Sequence, residues 1–144
     1  MIKKVFHKKN LIALIINEKE FLKNGVNFLT PNSFSLQLGF MGHKKNHIIK
    51  PHTHLKFLRK ITNTMEILFV KKGILRVDFY SKHKQYLFSH LVKKNNIIVL
   101  IEGSHGFKML KNCFLIEVKQ GPFSPNLDKV RFNSIDEKKI TIKK

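Results

Sequence analysis

The sequence predicts an all-β protein of one domain, built as a double-sheet jelly roll or a small barrel. About ten short runs rich in β-branched and aromatic residues recur at regular spacing along the chain. Turn-forming residues separate the runs, and none of them has the periodicity of an amphipathic helix. The chain has 144 residues, which suffices for one core and is too short for two ordinary domains.

The individual strands follow from alternating hydrophobicity between turn signals. In residues 34–41, Phe34, Leu36 and Leu38 alternate with polar residues or glycine, which is typical of a half-buried strand. Gly25 and Gly73 close polar turns. The predicted strands lie at residues 11–16, 26–29, 34–41, 47–54, 66–70, 74–80, 86–92, 97–101, 106–110 and 114–119.

The domain organisation is simple, because no linker divides the chain. Residues 1–10 are polar and basic, and we expect a flexible N-terminus there. Residues 11–132 hold the predicted barrel. Residues 133–144 are mostly charged and predict a polar, solvated C-terminal tail, with one short edge strand at residues 140–142.

The run at residues 11–16 is apolar on both faces of the strand it predicts. Such a strand needs two covers, and we expect the barrel interior to supply one and a second subunit the other, as in a homodimer. The run is far shorter than the roughly 20 residues that cross a bilayer and lacks a signal-peptide cleavage site. With Cys113 as the single cysteine, this predicts a cytoplasmic protein without internal disulfides and without a membrane partner.

The net charge of +19 raises the question of nucleic acid binding. Of the 28 basic residues, however, only Arg59, Arg76 and Arg131 are arginine, and the lysines are scattered in pairs. Specific recognition of phosphates and bases favours clustered arginine. Nucleic acid is therefore not the expected main partner, whereas an acidic small molecule is compatible with the charge.

Three histidines and one glutamate have the spacing of a metal site. His52 and His54 lie two apart in a predicted strand, so both face the same side. Glu66 begins the next apolar run, and His105 begins a later run in which Phe107 shares its parity. Imidazoles with one carboxylate suit Fe, Mn, Ni, Cu or Zn and disfavour calcium. We expect a divalent transition metal as cofactor.

These residues resemble the two motifs of the cupin superfamily, which are represented here by His52-x-His54, by Glu66 with Gly73 seven positions later, and by Gly103-x-His105. The resemblance covers about residues 36–120. It implies a double-stranded β-helix (jelly-roll) cupin barrel in which His52, His54, Glu66 and His105 bind one metal ion.

The sequence departs from the cupin pattern in three places. Eleven residues separate His54 from Glu66, which is a longer gap than usual, and Ile101 and Met109 stand where the second motif often has Pro and Asn. The chain is also similar to small single-domain bacterial cupins, some of them associated with surface-sugar genes.

The function that this resemblance implies is metal-dependent isomerase, epimerase or dioxygenase chemistry on a small hydroxylated or anionic metabolite, such as a sugar derivative. The expected substrate-binding residues are Lys50, Lys56 and Arg59 at the barrel mouth, with Phe107 and Met109 on the inner face.

Two alternatives stay open: a non-catalytic protein that binds or senses a small ligand, and a barrel that holds an organic ligand without metal. Catalytic residues are unassigned, because neither Glu117 nor Tyr86 stands out as a general base. His43, His47, His83 and His90 are expected in loops or out of register with the ligand pair.

Overall fold

The computed structural model describes residues 2–21, 23–124 and 128–144 and confirms an all-β fold. The described residues form ten strands and two short 3-10 helices, neither of which could span a membrane. In chain order the strands are β1 (Ile2–His7), β2 (Asn10–Asn17), β3 (Gly25–Phe28), β4 (Gly39–Gly42), β5 (Glu66–Lys72), β6 (Ile74–Tyr80), β7 (Tyr86–Lys93), β8 (Asn96–Leu100), β9 (Ser104–Met109) and β10 (Phe114–Lys119). The 3-10 helices occupy Glu18–Phe21 and Glu137–Lys139.

The strands form three antiparallel sheets. The largest has five strands in the order β1-β2-β8-β5-β10, and the second has the order β7-β6-β9. Among the described residues, β3 pairs with β4 alone. Nine of the ten predicted runs overlap an observed strand, because alternation and turn residues identify strands well where a core covers one face.

The exception is residues 47–54, which the sequence predicts as a strand. In the structure these residues have no regular secondary structure and are exposed. Pro51 removes one N–H from any ladder that this segment could form. Residues 47–54 pair with none of the described strands. Among those strands, β9 has a neighbour on one side only, so its outer edge is unpaired.

The three central strands of the five-stranded sheet, β2, β8 and β5, are largely buried on both faces. One face packs on the three-stranded sheet through Val5, Ile12, Ala13, Ile15, Leu68, Val70, Leu75, Val77, Phe79, Phe88, Val92, Ile98 and Leu100. The other face packs on β4 and the irregular residues before it, with Leu14, Ile16, Leu38, Met65, Ile67, Ile97 and Val99 at its centre.

This arrangement accounts for the two apolar faces of β2 inside one chain. Ile12 and Ile15 belong to the first core, and Leu14 and Ile16 belong to the second. The second cover that the sequence analysis assigned to another subunit is the layer around β3 and β4. The two apolar faces of β2 therefore no longer support a homodimer, which stays a prediction.

Both ends of the chain are attached to the sheets. Residues 2–7, expected to be flexible, form the edge strand β1 on β2. Residues 133–144, expected to be a solvated tail, lie along β6 and β7, and we name them the C-terminal strap. The Ser89 backbone bonds Thr141 and Lys143, and the Tyr86 hydroxyl accepts the Thr141 N–H.

The strap buries the face of β6 that points away from the first core. There Arg76 makes a two-pronged ion pair with Asp78 (2.8 and 2.9 Å) and a second one with Glu137 of the strap (2.8 and 3.0 Å). Lys108 also contacts Glu137 at 2.9 Å, and Ser89 donates to Asp78. The hydrogen bonds that Glu137 accepts from Arg76, the main cause, and from Lys108 lower the pKa of Glu137 to about 2.

Candidate functional site

Glu66 and His105 reach each other from different sheets. Glu66 opens β5 and has the parity of Leu68 and Val70, which face the three-stranded sheet. His105 lies opposite Phe79 in the β6–β9 ladder, on the face that packs on the five-stranded sheet. His105 Nε2 lies 3.0 Å from Glu66 Oε2, so the pair bridges the two sheets.

Two glycines of the predicted motifs hold turns, Gly103 next to this pair and Gly73 at the opposite end of β5 from Glu66. Gly73 has φ +93°, and a Cβ there would meet Asn112 O at 2.5 Å and Cys113 Sγ at 2.6 Å. Gly103 has φ +86°, two residues before His105. Residues with a side chain rarely adopt this conformation, so both positions require glycine.

The pair is largely shielded from water: the Glu66 side chain is 13% exposed and the His105 side chain 25%. The hydrogen bond from His105 is the main cause that lowers the pKa of Glu66, against the opposing effect of burial, and Lys119 and Lys129 add to the lowering. Glu66 is thus a carboxylate at neutral pH and can only accept. His105 Nε2 therefore carries the proton, and Nδ1 is the nitrogen left for another partner.

An open cavity of about 880 Å³ borders the pair. Its volume is within the range of small-ligand pockets. Side chains from the strand ends of both sheets form part of the wall, including Glu66, Tyr80, His105, Phe107 and Glu117.

The opposite wall comes from residues 128–134, just before and at the start of the strap. Lys119 Nζ holds Asp128 Oδ2 at 2.9 Å, and this hydrogen bond is the main cause that lowers the pKa of Asp128. At the other end Phe132 packs edge-on against Tyr80, and the Tyr80 hydroxyl accepts the Ile135 N–H at 3.1 Å. The wall is therefore tied to the sheets at both ends.

The charge of the cavity differs from that of the protein as a whole. Four of the nine carboxylate residues line it, namely Glu66, Glu102, Glu117 and Asp128. Only three of the 28 basic residues do so, namely Lys82, Lys129 and Arg131. The cavity thus offers hydrogen-bond acceptors and cationic donors together, in a chain that is otherwise strongly basic.

Of the four predicted metal ligands, the structure brings together Glu66 and His105. His52 and His54 lie on the exposed irregular segment, with ring centroids 5.2 Å apart, and His52 Nδ1 lies 3.1 Å from the Lys50 carbonyl oxygen. In the part of the chain that the structure describes, no three His, Cys, Asp or Glu residues gather as a metal site would require. The residues as arranged offer half of the predicted shell.

Of the five predicted substrate-binding residues, Phe107 lines the cavity. Met109 is exposed further along β9, and Lys50, Lys56 and Arg59 lie on the exposed segment outside the cavity wall. Arg59 instead stacks on the Phe57 ring, with Cζ 3.6 Å from the ring centroid.

Sequence reasoning missed the opposite wall, residues 128–134. Glu117, on the wall formed by the strand ends, had a usable signal, since it shares parity with Leu115, which packs against the first core. Arg131 and Phe132 had none, because their position depends on the Lys119–Asp128 contact and on the Tyr80 ring rather than on a strand pattern.

Comparison of the chain with protein-family models, with curated proteins and with solved structures gave no match. The cupin resemblance therefore stays a prediction.

Proposed function

We propose that the chain is a cupin-type jelly roll that binds a small hydroxylated or anionic molecule, such as a sugar derivative, beside Glu66 and His105. The observation that carries this proposal is their 3.0 Å hydrogen bond at the wall of a cavity of ligand size. It joins one residue from each sheet, in a cavity that also holds a disproportionate share of the carboxylates. Convergent polar groups in a cleft of this size are typical of a ligand site.

Two features support the cupin part of the proposal. The five-stranded and three-stranded sheets share a core, as the two sheets of a jelly roll do. Glu66 and His105, the residues that the resemblance implies as metal ligands, contact each other at the edge of that core.

The lining suits a molecule with several hydroxyl groups. Carboxylates such as Glu117 accept hydrogen bonds from hydroxyls, while Lys129 and Arg131 suit a carboxylate or phosphate on the same molecule. Phe107 and Phe132 provide apolar surface against which the carbon skeleton of such a ligand can pack.

The pair could also move a proton. With Nε2–H held by Glu66, His105 Nδ1 can accept a proton from a ligand carbon or hydroxyl, and the Glu66 carboxylate stabilises the resulting imidazolium. This chemistry fits isomerisation or epimerisation. The non-catalytic binding or sensing protein remains the alternative, and the two are separated by following a bound ligand for conversion to product over time.

A divalent transition metal is a second candidate occupant, and the donor chemistry of Glu66 and His105 favours it. His52 and His54 would complete the predicted shell, and the unpaired edge of β9 is a place where residues 47–54 could pair as a strand. A bound metal would supply Lewis-acid chemistry, and dioxygenation would need it. Glu66 and His105 alone supply fewer ligands than a transition-metal site in a protein uses.

Ligand-observed NMR with a set of sugar phosphates, sugar acids and neutral sugars tests the binding proposal. We expect at least one class to bind, and Glu66→Gln and His105→Gln to weaken binding about tenfold or more, since a charged hydrogen-bond partner is lost. The matched controls Glu18→Gln and His47→Gln, outside the cavity, should bind as the parent does. Equal binding by site and control variants contradicts the proposal.

Elemental analysis of purified protein tests the metal. Stoichiometric metal in the parent that is lost in a His52→Ala, His105→Ala double variant supports the four-residue shell. Metal-free parent protein after expression in metal-replete medium excludes the metal candidate and leaves the ligand site as proposed.

A further inference from the structure

Residues 55–61, which we name the basic apolar loop, expose four large apolar side chains. Leu55 is 82%, Phe57 63%, Leu58 97% and Ile61 45% exposed. Lys56, Arg59 and Lys60 lie between them in the sequence. Isolated exposed leucines are ordinary on a protein surface, but a concentration of four large apolar residues within seven positions is typical of interaction sites.

The charge around the loop selects the kind of partner. No Asp or Glu occurs between Glu20 and Glu66, while this stretch contains Lys23, Lys44, Lys45, Lys50, Lys56, Arg59 and Lys60. A partner must therefore be anionic to complement it. A second copy of this chain carries the same net charge of +19, so its approach would be opposed by repulsion.

The apolar side chains narrow the choice of anionic partner further. Nucleic acid would neutralise the cations but would leave Leu55 and Leu58 in water. An anionic bilayer accepts both groups, with lysines at the headgroups and leucines below them.

We propose that the basic apolar loop docks the protein on the surface of a bilayer that contains anionic phospholipids. The contact is peripheral and requires no segment that crosses the membrane. It departs from the sequence-based expectation of no membrane partner, which rested on the length of apolar runs. Thr62, Asn63 and Thr64 follow the loop directly and line the cavity, so docking sets the cavity beside the headgroups. The inference is independent of the proposed ligand.

Vesicle flotation tests it, with vesicles of phosphatidylcholine alone and of phosphatidylcholine mixed with phosphatidylglycerol. We expect binding only to the anionic vesicles, weakened by salt. A Leu55→Ser, Leu58→Ser variant should lower the partition coefficient about tenfold or more, because two leucines lose their burial. A Lys56→Gln, Lys60→Gln variant should lower it about fivefold for each cation removed.

The matched controls lie elsewhere on the surface. Phe28→Ser, Met41→Ser removes two exposed apolar side chains from the β3–β4 sheet, and Lys71→Gln, Lys72→Gln removes two exposed cations from β5. The apolar control should bind as the parent does, and the cation control should lose less affinity than the loop variant. Unchanged thermal unfolding of the loop variants shows that they remain folded.

Three outcomes overturn the proposal. The first is no flotation with anionic vesicles at low salt. The second is equal loss of binding in loop and control variants, which assigns the attraction to the overall charge. The third is a dimer or an RNA complex that the loop variants abolish while vesicle binding is unaffected, which assigns the loop to that partner.

Discussion

The Glu66 carboxylate owes its low pKa mainly to His105, and this dependence can be measured. The hydrogen bond from His105 lowers the pKa of Glu66, whereas burial alone would raise it. We therefore expect His105→Ala to raise the pKa of Glu66 above its parent value. The side-chain carboxyl ¹³C chemical shift of Glu66, followed against pH, measures this pKa directly. A pKa that stays where it was, or falls, would show that the pair is not formed in solution.

Arg76 holds the buried side of the strap through Asp78 and Glu137. Arg76→Ala would leave Asp78 buried without its main partner, so we expect a loss of about 3–5 kcal/mol in the free energy of unfolding. Urea denaturation measures this loss. Arg59→Ala, at an exposed position, is the matched control and should change stability by about 0.5 kcal/mol or less. Similar values for the two variants would refute the buried ion network.

Sequence parity predicted some site residues and not others, for a physical reason. Glu66, His105 and Phe107 were placed correctly on inner faces, because each lies in a strand whose alternation a core enforces. His52 and His54 depended on a strand that has no ladder partner in the structure. Parity has no meaning where the backbone is irregular.

At the scale of elements, the C-terminal strap predicts a pH-dependent attachment. Glu137 has an ordinary pKa of 4.5 that is lowered to about 2 by its hydrogen bonds to Arg76 and Lys108. Because the folded pKa is depressed, the stabilisation is fully present above about pH 4.5 and is lost as the pH falls towards 2. The strap should therefore loosen over this range.

Amide hydrogen exchange at Ser89, whose N–H bonds the Thr141 carbonyl, measures the attachment. We expect protection, corrected for the intrinsic pH dependence of exchange, to fall between pH 4.5 and 2 in the parent. In Glu137→Gln, protection should be lower at neutral pH and flatter with pH. A parent whose protection is constant across this range would contradict the role of Glu137.

The strap and β1 also show where element prediction stops. Both segments are charged, so their sequences resemble solvated ends. Each segment is held in place by residues far away in the sequence: β1 by β2, and the strap by Ser89 and Arg76. Contacts with such distant residues leave no pattern in the local sequence. The strands between them were predictable because turn residues and alternation are local.

At the scale of the whole molecule, the five-stranded sheet joins two cores. Ile98 lies in the first core and its neighbour Ile97 in the second, and both are buried. Since they belong to one strand, β8, we expect the protein to unfold in a single transition. Ile98→Ala and Ile97→Ala should each lower the free energy of unfolding by about 2–5 kcal/mol. Ile48→Ala, at an exposed position, is the control. Two separate transitions in calorimetry would mean that the cores unfold independently.

The sequence predicted the all-β class and the burial of β2 on both faces, but it could not say what covers the second face. Hydrophobicity along a strand reports burial and not the identity of the neighbour. The layer of β3, β4 and the residues around them is held by long-range packing of side chains such as Leu38 and Met65. An added layer and a second subunit produce the same pattern in the strand they cover.

The central claim is that the Glu66–His105 pair forms the polar centre of a ligand site between the two sheets. The most direct test is the ring-nitrogen NMR spectrum of His105 while a ligand from the sugar-derived set is titrated in. We predict that Nε2 stays protonated and bonded to Glu66 while the Nδ1 resonance shifts in proportion to saturation, and that Glu66→Gln removes the shift. A ligand that saturates the protein while leaving both His105 ring nitrogens unchanged would contradict the claim.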